Sequence, residues 1–137
     1  MIKRILILSL LFLSLAEITQ ARQLSDLKIQ AVPITEMRQL CESEISFGCF
    51  NPNNQTITIA DTYTGAFLQF VIWHEVGHFL LQDTECSTIQ IAFPSTTCHQ
   101  SNEMAANSFY DFALLPINKV PITTINFWKN VFVDWNL

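Results

Sequence analysis

Val71 to Leu81 reads VIWHEVGHFLL. Two histidines and a glutamate stand inside an otherwise apolar run. Burying a charge is costly unless it is paired or holds a metal, so this segment is either an ordinary helix with a mixed face or a site. Phe67, Phe70, Val71, His74, His78 and Leu81 recur at steps of three and four, which predicts a helix from Thr64 to about Leu81. On it, His74, Glu75 and His78 spell H-E-x-x-H. Residues four apart share one helix face, about 6 Å apart along the axis. Two imidazoles so placed can converge on one ion, with Zn–N bonds of about 2.0–2.1 Å. Glu75, beside the first ligand, can reach a water bound there and act as general base. The bland alternative is a polar stripe with solvated histidines, and such a stripe does not need these apolar flanks.

A catalytic zinc usually takes three protein ligands and keeps one position open. The extended motif H-E-x-x-H-x-x-G-x-x-H fails here, because Leu81 stands at its glycine and Thr84 at its third histidine. Asp83 and Glu85 follow the helix too closely to fold back easily. Glu103, near the start of the next predicted helix, is the better third ligand, and a carboxylate on a second helix is the gluzincin arrangement. For the oxyanion that peptide hydrolysis generates, Tyr110, His99 and Tyr63 are candidate donors.

The rest of the chain supplies a frame for these helices. Leu27–Val32 alternates apolar residues and stops at Pro33, as a strand does. ITEMRQLCE follows as a short helix with Thr35 as its N-cap. Ile45–Phe50, the turn NPNN and QTITIAD read as strand, turn, strand, with Ile57 and Ile59 on one face. Residues 83–100, rich in Thr, Ser, Gln and Pro, read as a loop. Helices are expected over Ser101–Leu114, and from Thr123 or Thr124 onward. Trp73, Phe79, Phe109 and Phe112 are expected in the core. The sum is an α+β domain: a small antiparallel sheet packed beside a helical layer that carries the H-E-x-x-H helix and a second ligand helix.

The 137 residues allow one domain. Lys3 and Arg4, an apolar run over Ile5–Ala16, and small-residue patterns at Ser14-x-Ala16 and Thr19-x-Ala21 have the layout of a secretory signal peptide over 1–21. The apolar run is short against the roughly 20 residues of a spanning helix. Residues 22–137 are then a single metallopeptidase-like domain, secreted or periplasmic, with no stable membrane association after signal cleavage. The net charge is −5 and no basic cluster is present, which argues against nucleic acid as a partner. Four cysteines in an exported chain read as two disulfides. Cys41–Cys49 and Cys86–Cys98 are preferred because both close short local loops. The sequon Asn54-Gln55-Thr56 matters only in a glycosylating host.

WHEVGHFLLQ followed by EMAANSFYDFALLP resembles the ImmA/IrrE family of zinc metallopeptidases, over about Thr56 to Pro116. The resemblance implies His74, His78 and Glu103 as metal ligands, Glu75 as general base, and Zn2+ as cofactor. It also pairs Asn107, one turn beyond Glu103, with the family's asparagine. Ala105, Tyr110 and Ala113 depart from the usual residues, and the family's action on cytosolic repressors does not carry over to an exported chain. The expected function is an exported zinc metallopeptidase acting on a peptide or protein substrate, as a monomer. The alternative is a secreted zinc-containing binding protein without turnover.

Overall fold

The computed structural model describes residues 23–134, so the leader expected over 1–21 lies outside the described residues. After a 3-10 turn at Leu24–Asp26 come β1 (Lys28–Val32), α1 (Ile34–Leu40), β2 (Gly48–Asn51) and β3 (Thr56–Ala60). Then follow α2 (Gly65–Leu81), α3 (Cys86–Ala92), α4 (Cys98–Leu114), a second 3-10 turn at Ile117–Lys119, and α5 (Ile122–Asp134). The α+β class holds. Among the described residues, no helix is long and apolar enough to cross a membrane.

The sheet is mixed rather than wholly antiparallel. Its order is β1-β3-β2, with β2 antiparallel and β1 parallel to β3. The β2–β3 hairpin follows from its short turn, and Asn51 Oδ1 accepts the Asn53 N–H at 2.9 Å inside that turn. A parallel pair needs a crossover, and α1, which packs on β3, lies on the connection that supplies it. Every residue of the central β3 is buried. Ile57 and Ile59 join the core beneath α2, while Thr58 Oγ1 accepts a hydrogen bond from Gln30 Nε2 at 2.8 Å. That bond satisfies a hydroxyl that the Thr/Ile alternation would have left facing water.

Several boundaries differ from the sequence reading: β2 begins at Gly48 rather than Ile45, and α5 at Ile122 rather than Thr123 or Thr124. Pro33, not Thr35, is the N-cap of α1, and its fixed φ of −53° suits a helix entrance. The stretch read as a loop over 83–100 contains α3, and α4 begins at Cys98. Thr97 caps α4: its Oγ1 accepts the Gln100 N–H at 3.2 Å, while Gln100 Oε1 accepts the Thr97 N–H at 3.0 Å. Cys86–Cys98 ties the start of α3 to the start of α4, and Cys41–Cys49 ties the end of α1 to β2. Both disulfides have the expected pairing.

The helical layer is built around α2 and α4, and α5 packs on α4. Trp128 of α5 is fully buried and donates its indole N–H to Ser108 Oγ at 2.9 Å. Phe109 and Trp128 have ring centroids 4.6 Å apart. Phe79 and Phe109 are buried as expected; Trp73 and Phe112 are half-buried and packed against the same cluster.

The contact between α2 and α4 is unusually intimate. A Cβ placed on Gly77 would stand 2.8 Å from Ala106 Cα and 3.1 Å from Ala106 O. Ala105 and Ala106 are fully buried. Small residues on both helices let the backbones meet. Gly77→Ala should therefore destabilise the fold by about 1–3 kcal/mol through overpacking, although alanine is the better helix former. Urea unfolding of wild type and variant measures it, with a lower midpoint and an unchanged slope as the expected result.

Candidate metal centre

The local sequence explains why α2 and α4 carry the polar cluster. On α2, Val71, Val76, Phe79 and Leu80 are buried, which fixes the helix against the sheet and α4. His74 and His78 then stand on the side that faces α4 and a cleft, with their rings 4.7 Å apart and nearly perpendicular. On α4, buried Ala105, Ala106 and Phe109 anchor the helix. Glu103 and Asn107, one turn apart, turn toward His74.

Among the described residues, His74, His78 and Glu103 form a group that could hold a metal ion. His74 Nε2 lies 3.1 Å from His78 Nε2 and 3.3 Å from Glu103 Oε2. His78 Nε2 lies 3.0 Å from Glu103 Oε1. Ligands of a tetrahedral ion with bonds of about 2.0–2.1 Å stand roughly 3.3 Å from one another. Each contact is of that size, although Glu103 meets the two imidazoles through different oxygens, and with one ligand atom from each residue all lie within 4.8 Å of one another, so two imidazoles and a carboxylate could hold a small divalent cation.

Asn107 sets the direction of the first imidazole. His74 Nδ1 is 2.7 Å from Asn107 Oδ1. An amide oxygen only accepts, so Nδ1–H donates to it and Nε2 turns toward Glu103. The ionisation of the cluster points the same way. Burial opposes a charged His74, but the hydrogen bond to Glu103, the charges of Glu75 and Glu103, and the Asn107 contact outweigh it, and its pKa is raised. Hydrogen bonds to His74 and His78 hold the Glu103 carboxyl far below the usual carboxylate range. Both shifts state that the space between these atoms favours a positive charge. A proton supplies it in one form of the site and a metal ion would supply it in another.

Glu75 is set differently. It is 6% exposed. Burial pushes its pKa up, while the charges of His78 and His74 and a hydrogen bond from the Phe50 backbone N–H of β2 pull it back. β2 comes this close to α2 because Gly48 has no side chain: a Cβ there would stand 2.9 Å from Val71 Cγ1.

A cleft of about 730 Å³ opens over the cluster, and His74, Glu75, His78 and Glu103 all line it. Tyr110, Tyr63 and His99 do not. Tyr110 packs on Phe70 with ring centroids 5.4 Å apart, and Tyr63 packs on Phe67. Asn102, Gln82 and Thr84 are polar residues of the cleft that the sequence reading did not single out. Gln82 is engaged with Gln55 and the Phe79 carbonyl. For Asn102 the usable signal was adjacency to Glu103.

No protein-family model matches the chain, and no curated protein and no solved structure shows a significant match. The site's chemistry therefore stands on its geometry.

The Asn107 contact yields a prediction. Asn107→Ala leaves all three ligand side chains in place and frees the His74 ring. Metal affinity should drop by about 10- to 100-fold, measured by competition with a chromogenic chelator, with the melting temperature of the metal-free protein little changed.

Proposed function

We propose that the protein is an exported zinc-dependent peptidase, in which His74, His78 and Glu103 hold the metal and Glu75 is the general base. The observation that carries this reading is the convergence of His74, His78 and Glu103, whose ligand atoms lie within 4.8 Å of one another, with a buried fourth group, Glu75, lining the same cleft. A purely structural zinc site has no use for such a carboxylate. The resemblance to the ImmA/IrrE family supports the same four residues. Two disulfides support an oxidising compartment.

His74, His78 and Glu103 would hold the zinc, which would supply Lewis acidity to the scissile carbonyl and to a water. The remaining chemistry belongs to the chain. Glu75 takes a proton from the attacking water and returns it to the leaving amine nitrogen. Its buried setting raises its proton affinity toward the working pH, which suits a group that must accept and then release. Asn107 keeps the His74 lone pair aimed inward. Of the polar groups considered for the developing oxyanion, Tyr110, Tyr63 and His99 lie outside the cleft lining, while Asn102 lines it beside Glu103. Peptides or proteins are the substrates and the chain works as a monomer, without nucleic acid.

Two substitutions test the reading. His78→Ala should lose stoichiometric zinc, as read by elemental analysis after dialysis. Glu75→Gln should keep zinc and lose hydrolysis of a mixed peptide library by at least ~100-fold. Wild-type protein that binds zinc and hydrolyses nothing in the library, with or without chelator, would instead be a zinc-containing binding protein.

A further inference from the structure

The wall of the cleft opposite α4 is formed by the segment between the two cysteines of the Cys41–Cys49 disulfide and by β2. It presents large apolar side chains to solvent. Ile45 is 88% exposed and Phe47 60% exposed, and both line the cleft that the metal ligands line. Single exposed apolar residues are ordinary. These two share one cleft with Phe50, Phe70 and Val71, and so extend an apolar surface from the core to the cleft mouth.

The wall is held in place. Phe47 meets Phe67 edge-to-face at 5.4 Å, and Phe67 meets Tyr63 in the same way at 4.8 Å. Ser43 Oγ accepts the backbone N–H of Ser46 at 3.1 Å. The disulfide fixes both ends. Little ordering is then needed when a ligand side chain packs there.

Main-chain recognition along β2 is, in contrast, already occupied. Ser46 Oγ bonds both the Gly48 N–H and the Gly48 carbonyl. A peptide that adds to this strand must displace these partners, so side-chain contact has to carry selection. Charge narrows the choice further. Among the described residues no Lys or Arg lines the cleft, and the chain as a whole carries −5. An acidic side chain laid on Ile45 and Phe47 would lose hydration without a cationic side chain to pair with.

From these contacts we infer that Ile45 and Phe47 form an apolar subsite that selects peptides bearing a bulky apolar side chain and rejects acidic ones. The inference rests on the peptidase reading for its meaning in turnover, while the subsite itself is a matter of binding. Hence the two are tested by separate readouts. Fluorescein-labelled Gly/Ser peptides with a central Phe, Ala or Glu are titrated with zinc-loaded Glu75→Gln protein and followed by anisotropy. The Phe peptide should bind on the order of tenfold tighter than the Ala peptide, as burial of an aromatic side chain gives, and the Glu peptide weakest. Ile45→Ala with Phe47→Ala in the same protein should bring the Phe and Ala peptides together. Phe47→Leu should keep most of the preference, which separates loss of apolar surface from loss of fold. Equal affinity for the Phe and Ala peptides, or a preference that survives the double substitution, overturns the subsite. Wild-type hydrolysis of the same peptides reports on the other reading. Preference in binding without any turnover removes the peptidase and keeps the subsite; equal turnover of all three peptides does the reverse.

Discussion

The backbone contact between Gly77 and Ala106 sets the distance on which the cluster of His74, His78 and Glu103 depends. A histidine pair on one helix can be arranged by spacing alone. A third ligand on another helix needs that helix at a fixed separation. Gly77 stands between Glu75 and His78, inside the motif, and Ala106 stands one turn beyond Glu103. With no side chain between them, α2 and α4 touch through backbone atoms. Glu103 then reaches both imidazoles at 3.0–3.3 Å. Any larger residue at either position would move the carboxylate away from the histidines by widening the gap between helices.

Around that contact, charge is arranged in two tiers. His74, His78 and Glu103 are half-buried and converge on one point. Glu75 is more deeply buried and sits between β2 and the cluster. The first tier lowers the proton affinity of its carboxyl, and the second raises that of its own. Two glutamates on neighbouring helices thus serve different ends, because one is paired with imidazoles and the other is mainly desolvated. That division suits the ligand and the base proposed for these two residues.

Much of this was legible in the sequence, for identifiable reasons. H-E-x-x-H on an apolar helix is a local pattern, and the 3.6-residue repeat fixes its geometry. Glu103 was reached by excluding nearer carboxylates, and the structure brings it against both histidines. The disulfides followed from short loops. What the sequence hid was non-local or locally ambiguous. The parallel pairing of β1 with β3 crosses over α1 and leaves no turn signature. The helix over Cys86–Ala92 is composed of Ser, Thr and Gln among apolar residues, and its order depends on the Cys86–Cys98 bond and on packing against α4. The capping box of Thr97 and Gln100 was present in the sequence and was missed because polar composition was weighted over pattern. Tyr110 was an attractive oxyanion donor by helical spacing, yet Phe70 takes up its ring.

The Ser46 hydroxyl has a consequence for the behaviour of the chain in concentrated solution. A sheet's outer strand offers unpaired amide and carbonyl groups that a second chain can copy onto, and proteins guard such strands with short length, charge or cover. β2 is an outer strand, only four residues long. Its Gly48 is closed by Ser46 from within the same loop, and its Cys49 is bolted to the end of α1. The contacts that shape the cleft wall thereby also deny this edge to intermolecular strand pairing, so a protein with exposed isoleucine and phenylalanine at its cleft mouth is shielded there from templated aggregation.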